Sequence, residues 1–319
     1  MKLAVPDLIS NSYFPAVAAI ELGFFRDEGF DVELELLFPV DKTYAALRDG
    51  TIELVAGSAH SALAAFPDWR GVKLLCAQAQ GMYWFLVMQK DLSARRGEID
   101  AVKGRRIGAA PWVEMGLRRL LIESGIDLQR DKVSIAPVPG TGSPTANFGL
   151  MAAKALQERK IDGFWANGMG AEVAIRGGWG TLVLDVRRGD GPPSCFNYTM
   201  ASVATSERVL ERAPGLAAAT VRALDRTHAA LKLDLSLATK IGRKLFPPAE
   251  AELIADIVRR DLPYYTTGIS RAFVSGMQRF ARDVGILTAE TPYETIVAPE
   301  GRAADQGVAA ELPNRAVRS

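Results

Sequence analysis

Histidine and cysteine are nearly absent from this chain, with two of each among 319 residues. His60 and His228 stand alone, so no cluster has metal-ligand spacing and a zinc or non-haem iron centre is not expected. Cys76 and Cys195 lie far apart and form no CxxC pair, and they read as two buried free thiols. An excess of one charge is also lacking, because 38 basic and 37 acidic residues intermix to a formal net charge of +1. Without a basic stripe, nucleic acid is not an expected partner. The longest apolar runs, 52–56 and 84–88, fall far short of the roughly 20 residues that cross a bilayer. The Gly-rich loop at Gly140, Thr141, Gly142 and Ser143 lacks both GxxxxGK[ST] and GxGxxG, which argues against a nucleotide loop.

The N-terminus lacks the charged, apolar and small-residue succession of a secretory signal, since Met1 and Lys2 run straight into the strand-like Leu3, Ala4 and Val5. As written, the chain is expected in the cytoplasm; a start further upstream would place it in the periplasm.

What is present is an ordinary globular composition, 48% hydrophobic and 24% charged, in a chain long enough for one large or two medium domains. The first half alternates strand and helix signals. An apolar run at 3–8 precedes a helical spacing at 13–22 closed by Gly23. Residues 30–37 alternate apolar and acidic with period two, 43–49 form a helix stopped by Gly50, and 52–56 form an apolar strand. That βαβαβ order predicts a parallel sheet with helices on its faces. Strands at 72–78 and 84–89 follow. A second set then begins: a helix at 113–124, a strand at 133–138, a helix at 150–159, and strands at 161–165, 181–185 and 197–204. From Ser206 onward the pattern becomes helical, over 207–210, 216–233, 235–245, 250–260 and 270–284, with prolines between the segments. Residues 300–319 show little apolar periodicity and are expected to be disordered.

Four segments resemble, in order, those of NMT1/THI5-like and sulfonate/nitrate/taurine-type (SsuA/TauA-type) solute-binding proteins. They are 15–32 (PAVAAIELGFFRDEGFDV), 46–54 (ALRDGTIEL), 102–108 (VKGRRIG) and 285–293 (GILTAETPY). The resemblance implies the periplasmic binding protein type II fold, α/β with two Rossmann-like lobes joined by two crossing strands. One lobe would hold 1–88 and 200–299, the other 89–199, with crossings near 87–90 and 198–201. It also implies a small-molecule ligand in the cleft, delivery to an ABC permease, and no cofactor. Enzymes on related folds set the alternative. Cys76 and Cys195 cannot supply the cysteine-rich motif of THI5-like pyrimidine synthases. A decarboxylase- or dehydratase-like enzyme acting on an aromatic or cyclic carboxylate would use His60 as its acid/base group.

Ligands of open α/β sheets sit beyond the carboxyl ends of strands, where loops lead into helix N-termini. Three loops occupy such positions: Asn11, Ser12 and Tyr13; Ser58, Ala59 and His60; and Ala110, Pro111 and Trp112. The last departs from the serines and threonines of the resembling family, which argues against a sulfonate-type anion held by hydroxyls. Asn167, after Trp165, replaces an acidic-and-proline step and suits a neutral polar group. Tyr13, Trp84, Trp112, Trp165 and Tyr198 all lie near strand ends, and together they favour a flat ligand. No catalytic or metal-binding residue is assigned.

Overall fold

The computed structural model describes residues 1–141 and 147–304. The first lobe opens with β1 (Lys2–Val5), α1 (Phe14–Glu21), the short α2 (Phe24–Asp27), β2 (Glu33–Leu36), α3 (Val40–Asp49), β3 (Leu54–Ser58) and β4 (Val72–Ala79). Gly23 and Gly50 take left-handed φ values of 77° and 78°, which lets each helix stop and the chain reverse without a Cβ clash. The second lobe holds β5 (Phe85–Gln89), β6 (Arg106–Ala109), α4 (Val113–Glu123), β7 (Ser134–Ala136), α5 (Phe148–Gln157), β8 (Gly163–Ala166), α6 (Gly168–Arg176) and β9 (Gly180–Asp185). The chain then returns through β10 (Ala201–Ser206) to a helical region. This comprises α7 (Glu207–Arg212), α8 (Leu216–Leu233), α9 (Ser236–Leu245), α10 (Pro248–Asp261), α11 (Arg271–Asp283) and α12 (Tyr293–Ile296).

Two five-stranded sheets result, ordered β2-β1-β3-β10-β4 and β7-β6-β8-β5-β9. Each is mixed rather than purely parallel. β1 pairs parallel with β2 and β3, and β6 parallel with β7 and β8, as βαβ units require. The odd strand in each sheet is β10 in the first and β5 in the second, and each runs antiparallel to both its neighbours. These are the strands nearest the two interlobe passages. Local pattern cannot reveal their direction, because it depends on which sheet the chain is leaving.

The passages differ from the expected crossings. β5 belongs wholly to the second sheet, so the outward passage is 80–84 rather than 87–90. The return occupies 186–200 and is built from two short 3₁₀ turns, Val186–Arg188 and Pro193–Asn197, the second covering part of the strand expected at 197–204. The sequence pattern did not single out α6. Its glycines explain both the weak signal and the geometry: a Cβ on Gly170 would stand 2.5 Å from the Gly149 carbonyl oxygen, so α5 and α6 touch backbone to backbone.

The tail expectation needs correcting for residues 300–304. Gly301 is buried against Leu75, and Arg302 bridges to Ile269. Residues 305–319, and 142–146 of the Gly-rich loop, lie outside the described residues. Among the described residues no helix is long and apolar enough to cross a membrane. Cys76 and Cys195 are both buried and unbridged, and burial pushes both thiols up, Cys195 to about 12.

Candidate functional site

The carboxyl ends of β1, β2, β6 and β8 face one another across the junction of the two sheets. The cleft between them is narrow in this form, with a cavity volume of about 40 Å³ open to water-sized spheres. The first lobe supplies Pro6, Asp7, Ser10 and Tyr13 after β1, and Phe38, Pro39 and Val40 after β2. The second supplies Ala110, Pro111 and Val113 after β6, Ala166 and Asn167 at the end of β8, and Phe148 at the start of α5. Tyr83 and Trp84 line it from the outward passage.

The walls are largely aromatic. Phe38 and Phe148 stack across the lobes with ring centroids 6.5 Å apart and planes at 17°. Tyr13 and Tyr83 meet edge to face, their hydroxyls 3.0 Å apart, and Tyr83 packs at 4.9 Å from Trp84. Burial raises the pKa of both phenols, so they are neutral donors and acceptors.

Among the described residues lining the cleft, Asp7 is the one carboxyl. One of its oxygens accepts from Asn167 Nδ2 at 2.7 Å and the other from Asn147 Nδ2. Both asparagines are helix N-caps: Asn147 Oδ1 accepts from the Leu150 N–H, and Asn167 Oδ1 from the Met169 and Gly170 N–H groups. Capping uses up their oxygens, so only amide N–H groups remain to face Asp7. The carboxyl thus sits against the N-termini of α5 and α6, where negative charge is favoured. Burial nevertheless dominates and pushes it up to about 7, against weaker downward pulls from the Ile9 backbone and Asn167.

Of the residues singled out from sequence, Tyr13, Trp84, Ala110, Pro111 and Asn167 line the cleft. The others are engaged nearby. Asn11 donates to Asp261 Oδ2 at 2.6 Å, and Ser12 is buried beside it. Ser58 Oγ pairs with Ser61 Oγ at 2.6 Å, and Ala59 is fully buried. Trp165 lies behind Trp84, with ring centroids 6.3 Å apart. Tyr198 stacks on Phe280 at 4.5 Å, donates to Glu123, and faces a separate opening lined by Arg119 and Asp283.

His60 is a fastener between lobes rather than part of the cleft lining. It is fully buried, with Nδ1 2.9 Å from Thr199 Oγ1 and Nε2 3.2 Å from the Trp112 carbonyl oxygen. The bond to Trp112 holds a residue at φ 68°, ψ −37°, a strained backbone for a bulky side chain. Burial pushes His60 down to about 4, so the ring is neutral at ordinary pH.

Sequence reasoning missed Asp7, Ser10, Phe38, Tyr83 and Phe148. Asp7 has a usable signal: it follows Pro6 directly at the carboxyl end of β1, ahead of the loop at Asn11, Ser12 and Tyr13.

A second interlobe contact is ionic. Asp261 of α10 meets Arg187 at 3.4 Å and Arg188 at 2.9 Å, and Arg188 also meets Asp185 at 2.8 Å. Burial pushes the Asp261 carboxyl up, but Arg187, Arg188 and Arg260 together outweigh it and hold it below its usual range. No lysine, arginine or histidine is among the described residues lining the cleft itself.

The architecture is that of the periplasmic binding protein type II fold, and solved structures share it over nearly the whole chain. A protein of Bordetella bronchiseptica RB50 superposes with a TM-score of 0.72 at 19% identity, covering 96% of this chain and 94% of its own. The alkanesulfonate-binding protein SsuA of Xanthomonas axonopodis pv. citri, bound to MOPS, gives 0.66 at 14% identity, with 95% and 97% covered. The desulfurization enzyme DSZB, as a cysteine-to-serine mutant in complex with biphenyl-2-sulfinic acid, gives 0.60 at 15%, with 94% and 97% covered. No family model matches the chain, and no curated protein matches it.

Proposed function

We propose that this chain is a solute-binding protein that closes two lobes on a small planar organic molecule and hands it to an ABC-type permease. The observation that carries the reading is the aromatic cleft at the facing carboxyl ends of both sheets, with each lobe supplying part of its wall. SsuA, which holds MOPS on the same fold, supports it, as does the periplasmic nitrate-binding protein NrtA from Synechocystis PCC 6803. Such a role would place the working protein in the periplasm. Rings of Tyr13, Phe38, Tyr83, Trp84 and Phe148 suit a flat ligand, an aromatic acid or a pyrimidine-like ring. A doubly charged anion would find no cation among the described residues of the cleft lining.

A thermal-shift screen of aromatic acids, pyrimidines, sulfonates and amides tests this. A ligand at about 100 times its Kd adds about 2.7 kcal/mol of stability. Small-angle scattering of the free and bound protein should then show compaction. A bound ligand with an unchanged radius, from a free form that is not already closed, would remove the hinge from the account.

A second reading, an enzyme on this fold, is favoured by one observation. Asp7 is a buried carboxyl titrating near neutrality inside a cleft, the condition of a general acid or base. Conversion of a bound compound to product would establish it.

A further inference from the structure

We infer that the cleft selects a planar ring bearing an amidine-type pair of N–H donors, held by the Asp7 carboxylate, and rejects the corresponding ring acid. The inference rests on the solute-binding reading and sharpens it: of the two classes of flat ligand named there, it retains the nitrogen-bearing ring and excludes the aromatic acid.

Three features converge on this chemistry. Among the described lining residues Asp7 is the only carboxyl, and no cation stands there to neutralise a bound acid. A ring carboxylate would therefore meet a like charge in a low-dielectric space, or would have to bind with Asp7 protonated. The groups around Asp7 favour donors approaching its oxygens. Asn147 and Asn167 are locked by their cap bonds to present N–H, so the carboxylate is the strong acceptor there. Of the roughly four lone-pair sites on two carboxylate oxygens, Asn147, Asn167 and the Ile9 N–H take three, so one donor of the pair meets an open site and the other takes the place of an asparagine amide. Finally, the surrounding rings of Tyr13, Phe38, Tyr83 and Phe148 present faces and edges suited to a flat, delocalised cation.

Benzamidine, benzamide and benzoate share a planar frame and differ in charge, so titration calorimetry with these three at pH 8 separates the possibilities. The wild-type protein should bind benzamidine at least tenfold more tightly than benzoate. Asp7→Asn should cost benzamidine about tenfold or more and abolish the preference, with melting and circular dichroism confirming the fold. A second arm needs no variant. Benzamidine affinity of the wild-type protein should rise about tenfold from pH 6 to pH 8 as Asp7 ionises.

The groups facing Asp7 are the phenols of Tyr13 and Tyr83, both held neutral, and the amides of α5 and α6. Arg260, beside Gly168 and Asn11, is paired with Glu172. The two phenols, raised by burial, and the amides do not titrate between pH 6 and 8. Benzoate binding as tightly as benzamidine, or a flat pH profile with benzamidine bound, overturns the inference and leaves solute binding standing. If none of the three binds, the inference falls. The solute-binding reading falls with it only when the wider screen also yields no ligand.

Discussion

His60 and Asp7 are both buried, titratable and placed where the lobes meet, yet their partners differ in kind. Each ring nitrogen of His60 has one fixed partner, the Thr199 hydroxyl or the Trp112 carbonyl, and neither faces open space. Asp7 leans on two side-chain amides whose first duty is capping α5 and α6, and it faces the cleft. A contact with satisfied, enclosed partners fastens two bodies. A carboxyl with one spare lone-pair site at a cleft can exchange partners with a ligand. The Arg187–Asp261 pair belongs with His60, since its side chains are 2% and 1% exposed. The junction therefore has a fastened part and an exchangeable part, and each should respond differently to mutation.

The largest effect should come from the fastened part. Asp261→Asn leaves Arg187 without its buried counter-charge and Arg188 with Asp185 alone, and should cost about 3–5 kcal/mol in chemical denaturation. A loss below about 1 kcal/mol would mean that water reaches the pair and that it does not fasten the lobes.

The exchangeable part should show itself through pH. Between about pH 4 and 7 an unfolded Asp7 is ionised while the folded one keeps its proton, so stability falls as pH rises across that window. His60 and His228, both pushed down to about 4 by burial, work oppositely between about 4 and 6.5, because unfolding lets them take up protons. Comparing wild type with Asp7→Asn cancels the histidines. The variant should gain on the wild type by on the order of 4 kcal/mol from pH 4 to pH 8. A parallel pair of curves would place Asp7 in contact with water.

His60→Ala should cost about 2–3 kcal/mol, from the cavity and from the unpaired Trp112 carbonyl, with ligand affinity unchanged. A large loss of affinity with unchanged stability would move His60 into the exchangeable group. The smallest effect expected is Asn167→Ala, about 1 kcal/mol for the lost cap, with the Asp7 carboxyl rising further as it loses an N–H donor.

Much of the fold was legible because local chemistry and global architecture agree along most of the chain. The helix over 216–233 has the observed bounds, its buried residues Leu216, Ala219, Thr220, Ala223, Leu224, Thr227 and Leu231 recurring at three- and four-residue steps. The α3 stop at Gly50 follows from the left-handed turn. The directions of β5 and β10 were not legible, since an apolar strand reads alike in either direction. Nor was α6, whose Gly168 and Gly170 weaken the helical signal because close packing demands them. Within the site, the loops at strand ends could be found by position, giving Tyr13, Ala110, Pro111 and Asn167. Asp7 could not be given its role, because that depends on Asn147 and Asn167, 140 and 160 residues away, converging on it. Phe38 and Phe148 likewise become a pair only across the junction of the lobes.

The central claim is that one ligand is gripped by both lobes at once. Hydrogen exchange followed by mass spectrometry, with and without a ligand from the screen, tests it most directly. The account predicts slowed exchange together in segments 6–13 and 38–40 of the first lobe and 110–113, 148–151 and 166–170 of the second. Protection confined to one lobe, or centred on the opening at Glu123 and Tyr198, would contradict it.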